Sequence, residues 1–313
     1  MEFLYFLESV RNPVCDFLAS AITYLGHGAV YVIVGVLFLW CVDKYDAYYI
    51  LCTGFIGTVI NQALKLACRI PRPWVRNPDF TIVESARAGA EGYSFPSGHS
   101  QNAVATFGCI AIVRKEKWIR CTCIAAACLV PLSRMYLGVH TPLDVSVGAA
   151  CALALVLALR PLFRQARKHP GSLHFLFFGM LLLGIAFLLY AYLFPFPADM
   201  DTDNLYAGLK NGWLLVGGAS ALWLFFLLDT HIIHYQTEAS LPAQILKTVF
   251  GLAVVLGVLE GFKYLTVALI GKEAYTNAVW LQAVRYFLTT AAAGAWTLTF
   301  PLFTRLFPEK TEK

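Results

Sequence analysis

The stretch SRMYLGVHTPLD, Ser133 to Asp144, sets an arginine, a histidine and an aspartate between two long apolar runs. Thr141 can cap a helix, and Pro142 suits the first turn of one. His140 then stands just before that helix and Asp144 in its first turn. From there the carboxylate can reach back to one ring nitrogen. Such a bond sets the tautomer and leaves the other nitrogen free to attack an electrophile.

Outward from this stretch the chain is unusually apolar. It has 313 residues, 58% hydrophobic and 14% charged, where a soluble domain carries about 25% charged residues. Several runs approach the roughly 20 residues that span a bilayer. The alternating pattern of a membrane barrel is absent. The expected fold class is therefore all-α, a polytopic membrane helical bundle. Its opening residues, MEFLYFLESVR, carry two glutamates and no basic leader, so no signal peptide is expected. The nine cysteines all occur by Cys151 and form no zinc-like set, so they read as small buried hydrophobes. The net charge of +5 comes mostly from residues flanking apolar runs, which does not suggest nucleic acid.

Nine spans are expected, at 28–42, 46–68, 97–113, 119–137, 142–160, 174–194, 212–229, 245–270 and 281–304, with an interfacial helix over 12–26. The basic segments RKEKWIR (114–120) and RPLFRQARKH (160–169) read as cytoplasmic. Segment 69–96 has as many basic residues, but they are spread among acids. Density decides, and alternation places 69–96, 138–141 and the acidic 198–204 outside, with the terminal PEKTEK inside.

Two further clusters fall on the side of the first. KLACRIPRP supplies Lys65 and, after six residues, Arg72 and Pro73. PSGH, Pro96 to His99, reads as a helix start capped by Ser97. There Gly98 allows close backbone approach and the free amides favour an anion. His99 in that turn can stand beside a leaving oxygen as general acid. Lys65, Arg72 and Arg134 converging on one point suit a phosphoryl group, whose charge spreads over its equatorial oxygens. Any one of these charges could be a snorkelling anchor. Three clusters with compatible roles are poorly explained that way, since each ionisable group deep in a span costs about 2.5–3.5 kcal/mol. Arg69, four residues after Lys65, reads as facing solvent or headgroups.

These clusters resemble the signature of the type-2 phosphatidic acid phosphatase superfamily: K-x6-RP, PSGH and SR-x5-H-x3-D. Every defining position matches, over about residues 28–160. The resemblance implies His140 as nucleophile, Asp144 as its partner and His99 as general acid. It implies Lys65, Arg72, Ser97, Gly98 and Arg134 as the phosphate cradle, and a phosphohistidine intermediate with no metal and no cofactor. It implies a six-helix phosphatase core plus about three extra spans, with the catalytic core and interfacial helix in 1–170 and additional membrane helices of unassigned role in 171–313. The expected partners are the bilayer and a lipid phosphate or lipid pyrophosphate, with hydrolysis on the extracytoplasmic side of a bacterial inner membrane. The alternatives are transfer of the phosphoryl group to a lipid or sugar hydroxyl, and lipid transport by the tail. Spacing names neither the lipid nor an oligomeric state.

Three features of the tail have plain readings. DMDTDN (199–204) lacks the glycine and the glutamate of a calcium loop. His231 and His234 near Asp229 read as a membrane-edge turn. Glu260 and Lys263 share a helical face and are expected to pair.

Overall fold

The computed structural model describes residues 1–308. The terminal acidic and basic residues of PEKTEK, expected inside, lie outside the described residues. Among those described, helix is the regular element. α1 (Glu2–Ser9) and α2 (Pro13–Tyr24) precede α3 (Gly28–Cys41), α4 (Lys44–Cys68) and the single turn α5 (Pro73–Arg76). α6 (Gly98–Val113), α7 (Lys117–Tyr136), α8 (Pro142–Ala166) and α9 (Ser172–Leu193) follow, then α10 (Thr202–Leu228) and α11 (Leu241–Ile270). The series closes with α12 (Lys272–Asn277), α13 (Leu281–Ala295) and α14 (Phe300–Leu306).

Local chemistry sets the ends that matter. Asn12 caps α2 by accepting from the Cys15 amide at 3.0 Å, with Pro13 in the first position. α4 stops where Arg69 takes a left-handed φ of 49°. Pro71 and Pro73 then hold the chain extended, because a residue before proline is pushed out of the helical region. Ser97 caps α6, accepting from the Ser100 amide.

Among the described residues six helices are long and apolar enough to cross a membrane, or seven crossings if α2 and α3, bent by 47°, form one span. Three of the nine expected spans are not among the six. α3 has 14 residues and counts only when joined to α2, which was expected to lie in the interface. α6 has 16 residues, about 24 Å at 1.5 Å each, short of a hydrocarbon core near 30 Å. The expected 281–304 is broken: α13 gives way to a 3-10 turn at Trp296–Thr299 before α14. α10 starts ten residues before the expected edge, because Asp201 accepts from the Asp203 amide at 2.9 Å and the Asn204 side chain at 3.0 Å. The aspartates of DMDTDN thus open a helix.

The chain divides into two compact units. The first comprises Met1–Gly35, Tyr49–Phe163 and Ala191–Gly208, and holds every motif residue. α6 and α7 form a hairpin turned at Arg114, whose guanidinium forks onto Glu116 at 2.7 and 3.2 Å. α1 and α2 pack on α7: Arg11 Nε donates to the Tyr136 carbonyl at 3.0 Å, and the Tyr136 hydroxyl to Asp16 at 2.8 Å. Leu4, Phe80, Met135 and Val145 close an apolar cluster beneath them.

The second unit comprises Val36–Tyr48, Arg164–Tyr190 and Leu209 onward. Trp40 is wholly buried and donates to the Ala293 carbonyl at 3.0 Å. Lys44 meets buried Asp229 at 2.7 Å, and Asp229 also accepts from the Tyr235 amide. His231 and His234 lie on the turn around that carboxylate, with His234 left-handed at φ 50°. Glu260 pairs with Arg285 on α13 at 2.8 Å, not with Lys263, which is exposed. A shared helical face gave the right residue and the wrong partner. The cysteines also differ from expectation: Cys15, Cys68, Cys121 and Cys128 are exposed.

Helix approach in this unit depends on Gly217, where an added Cβ would stand 2.0 Å from the Ala283 carbonyl. Gly217→Ala is expected to destabilise the unit by about 1–3 kcal/mol through overpacking. Neighbouring Gly218→Ala, whose Cβ meets Thr290 at 3.8 Å, should be neutral. Thermal unfolding in detergent micelles reads the difference, and equal melting temperatures would contradict the α10–α13 packing.

Candidate active site

The motif residues meet at one end of the first unit, where α4 and α7 finish and α6 and α8 begin. Lys65 lies in the last turn of α4 and donates to the Tyr93 carbonyl. One turn earlier on the same face, Asn61 donates to the Pro96 carbonyl at 3.2 Å and to Gln101 at 3.1 Å. α4 thus supplies a cation and braces the PSGH turn.

Arg72, held extended before Pro73, spreads its donors over four partners. Nε meets the Gly92 carbonyl at 3.0 Å and Nη2 the Glu91 carbonyl at 2.8 Å. Nη1 meets the Val139 carbonyl at 3.1 Å and His140 Nε2 at 2.8 Å. Gly92, at φ 71°, permits the turn that aims these carbonyls inward. Arg134, in the last turn of α7, donates to Thr23 Oγ1 at 3.1 Å and the Gly89 carbonyl at 3.4 Å. Its Nε is buried with no protein partner, a donor left for a ligand oxygen. Lys65, Arg72 and Arg134 are 6%, 6% and 1% exposed, so their charges act with little screening.

His140 sits in the short connection between α7 and α8 and is 1% exposed. A guanidinium carries no acceptor, so Arg72 requires a lone pair on Nε2 and places the ring proton on Nδ1. Burial, then Arg72, Arg134, Lys65 and His99, holds the ring's pKa well below the ordinary histidine value. Charging the ring among three cations is unfavourable, so it stays neutral and basic at Nε2.

Asp144 departs from the expected arrangement. Its Oδ2 lies 3.6 Å from His140 Nδ1, too far for a hydrogen bond. It accepts instead from the Thr141 amide at 2.8 Å and the Ser94 hydroxyl at 2.6 Å. Thr141 returns the cap, accepting from the Asp144 amide at 3.3 Å. The first turn of α8 competes for the carboxylate, and the Ser94 hydroxyl lies beside both groups, 2.6 Å from Asp144 Oδ2 and 3.4 Å from His140 Nδ1. Ser94 was not among the expected residues. Only its place two residues before PSGH could have drawn attention to it.

Ser97 is fully buried, its amide bonded to the Asp144 carbonyl at 2.9 Å and its hydroxyl to Ser100. It fixes the turn, and contact with an anion falls to the amides that open α6 at Gly98. His99, in that first turn, lies edge-on to His27 with ring centroids 5.9 Å apart. Its ring faces Gly89, where an added Cβ would stand 3.8 Å from Nε2. A cleft of about 720 Å³ adjoins this cluster, with Arg69, Arg72, Trp74 and Tyr93 on one side and Asp199, Asp201 and Asn204 on the other. Arg69 lines the cleft and does not reach His140.

The arrangement offers a polarised imidazole nitrogen, three buried cations, a helix start and a second histidine. Together they can hold a tetrahedral oxyanion and present a nucleophile to its centre.

Known proteins share this region. Residues 46–168 match the family model described as PAP2 superfamily. Phosphatidylglycerophosphatase B of Bacillus subtilis is 28% identical over 168 residues, covering 48% of this chain and 76% of that protein. Undecaprenyl-diphosphatase of Sulfolobus acidocaldarius is 45% identical over 94 residues, 30% of this chain and 43% of the relative. Sphingosine-1-phosphate phosphatase 1 of Rattus norvegicus is 24% identical over 289 residues, 84% of this chain and 63% of the relative. The chain therefore spans less than two thirds of the latter two.

Gly148, one turn after Asp144, lets α8 approach the PSGH turn: a Cβ there would lie 2.6 Å from the Ser97 carbonyl. Gly148→Ala is expected to displace Ser97 and weaken binding of inorganic phosphate on the order of tenfold or more. Calorimetric titration measures it. Unaltered affinity would mean that the Ser97 turn does not shape the anion site.

Proposed function

We propose that this chain, whose residues 46–168 match the PAP2 superfamily model, is an integral membrane phosphatase acting on a lipid phosphate or lipid pyrophosphate. His140 Nε2 is the nucleophile, and the observation that carries the reading is its 2.8 Å contact with Arg72 inside a buried cationic cluster. A phosphate bound by Lys65, Arg72, Arg134 and the amides at Gly98 places phosphorus before Nε2. Its oxygens then take donors that Arg72 now shares with the ring.

The first transfer forms an Nε2–P bond and breaks the bond from phosphorus to the leaving oxygen. His99, in its protonated form, donates the proton that this oxygen needs; burial and then Arg134 disfavour that form until the anionic phosphate is bound beside it. In the second, water attacks phosphorus, gives its proton to His99 and releases the histidine as inorganic phosphate forms. The cations gain most where charge spreads over the equatorial oxygens. The chain's residues supply every proton and charge in this sequence, so the reaction as proposed has no metal step.

A lipid substrate is supported from two directions. The relatives' names specify phosphatidylglycerophosphatase, undecaprenyl-diphosphatase and sphingosine-1-phosphate phosphatase. An apolar groove of about 320 Å³ runs between α1, α2 and α7 and reaches Ser133, next to Arg134. It suits an alkyl chain whose phosphate sits at the cations. We place the catalytic core at residues 1–170 and give the later helices a supporting role in the bilayer. The rat relative aligns over 84% of the chain, which requires it to match well beyond residue 170. Loop charges favour an extracytoplasmic site, and the short loops and the Bacillus relative support a bacterial inner membrane.

Purified protein should release phosphate in EDTA, tested across phosphatidic acid, phosphatidylglycerol phosphate, undecaprenyl pyrophosphate and sphingoid phosphates. His140→Ala and His99→Ala should each lower the rate by orders of magnitude, and retained turnover in His140→Ala would refute the nucleophile. Labelled phosphate appearing on a lipid or sugar acceptor instead of free in solution would make the protein a phosphotransferase.

The depressed basicity of His140 fixes the sign of the pH response. The ring remains neutral down to its lowered pKa and is lost as nucleophile only as pH falls through it. Phosphoenzyme formation should therefore be sustained below pH 6.5, the ordinary histidine value. Quenched-flow trapping of the phosphohistidine checks this, and a rate halved at the ordinary value would contradict the burial argument.

A further inference from the structure

His140 Nδ1 and Asp144 Oδ2 stand 3.6 Å apart without a hydrogen bond, and one side chain bridges the pair from the side. Ser94 Oγ is 2.6 Å from Asp144 Oδ2 and 3.4 Å from His140 Nδ1. Ser94 is fully buried, and its two neighbours are 1% exposed. Water therefore has little access to replace it.

The chemistry of the three groups fixes the direction of each proton. An ionised carboxylate only accepts, so the Ser94 proton points to Asp144. The 2.6 Å separation belongs to the short range of hydroxyl–carboxylate bonds. The hydroxyl oxygen then has only lone pairs to turn towards the ring. Arg72 occupies Nε2, so the ring proton is on Nδ1 and faces those lone pairs. Nδ1–H, then the Ser94 hydroxyl, then the carboxylate is the one polarity that all three can share.

We infer that Ser94 is a positioning residue that couples Asp144 to His140 during phosphoryl transfer. The inference rests on the phosphohistidine reading above. When Nε2 bonds to phosphorus and the leaving oxygen departs with the His99 proton, the ring becomes cationic while keeping its Nδ1 proton. That proton becomes a stronger donor and draws on the Ser94 oxygen. The hydroxyl, polarised by Asp144, carries the carboxylate's stabilisation to the ring without any proton leaving Nδ1. On hydrolysis the N–P bond breaks and the ring returns to neutral in the same orientation.

The hydroxyl is separable from the local fold. The Ser94 amide donates to the Ile70 carbonyl at 2.8 Å, so the backbone is held without the side chain. Asp144 keeps its bond from the Thr141 amide at 2.8 Å. Ser94→Ala thus removes the hydrogen-bonded bridge and leaves both neighbours anchored, still 3.6 Å apart.

The test is trapped phosphohistidine in wild type, Ser94→Ala, Ser94→Thr, Asp144→Asn and the Ser94→Ala/Asp144→Asn pair. Ser94→Ala should slow phosphoenzyme formation on the order of 100-fold with KM unchanged, and Ser94→Thr, which keeps the hydroxyl, should recover most of the loss. The double variant should be no slower than Asp144→Asn alone, because both changes break one connection. Wild-type rates in Ser94→Ala, or losses that multiply in the pair, would overturn the assignment while leaving the nucleophile intact. If Ser94→Ala does not fold, Ser94→Thr against Ser94→Gly makes the same comparison. A wild-type chain that forms no phosphohistidine defeats the parent reading and this one together.

Discussion

Three cations buried within reach of one imidazole are the constraint on which the site depends. Lys65, Arg72 and Arg134 are all nearly inaccessible, and Asp144, the carboxylate nearest to them, is bonded to Ser94 and Thr141. Like charges gathered in a region of low dielectric repel strongly and lose hydration. Main-chain carbonyls supply the compensation: Gly89, Glu91, Gly92, Tyr93 and Val139 each accept from one of the three. This explains why residues 77–97 hold little regular structure. A segment that turns its carbonyls inward to solvate guanidinium groups cannot give them to a helix. Its shape is set by the charges it surrounds, and they are held where a phosphate needs them.

The motif residues and the helices that carry them were legible because both obey local rules. Thr141 and Ser97 cap where a hydroxyl before an apolar run should cap, and Lys65, Arg72, His99, Arg134 and His140 come together as their spacings imply. What escaped the sequence is what depends on atoms from distant segments. The direct bond expected between Asp144 and His140 failed because the carboxylate had nearer donors, one on its own helix start and one 50 residues away. Glu260 found Arg285 across a helix interface, which a rule about one helix face cannot anticipate. The break at Trp296 is similar. Its indole donates to the Lys247 carbonyl at 2.8 Å, and a tertiary bond at the point where α-helix yields to a 3-10 turn leaves no trace in hydropathy.

Glycines divide along the same line. Gly92 and Gly138 sit at positive φ in tight turns, a role that composition near a turn suggests. Gly148 lies in the middle of an apolar helix and looks like any small residue, yet it faces the Ser97 carbonyl. Gly26 likewise admits the His99 carbonyl, which an added Cβ would meet at 2.5 Å. The PSGH turn and its His99 therefore depend on close backbone approach from two other segments. Such approach is a property of packing.

The amino-terminal helices pack against one side of this polar cluster. Phe6, Val14, Phe17 and Tyr24 are exposed on the outer side of α1 and α2. The inner side of the same helices carries Thr23, which receives Arg134, and Asp16 and Arg11, which hold Tyr136 at the end of α7. These helices thus grip the residues that flank Arg134 and Gly138, and moving α2 would move Thr23 and with it the hydroxyl that occupies one amino group of Arg134.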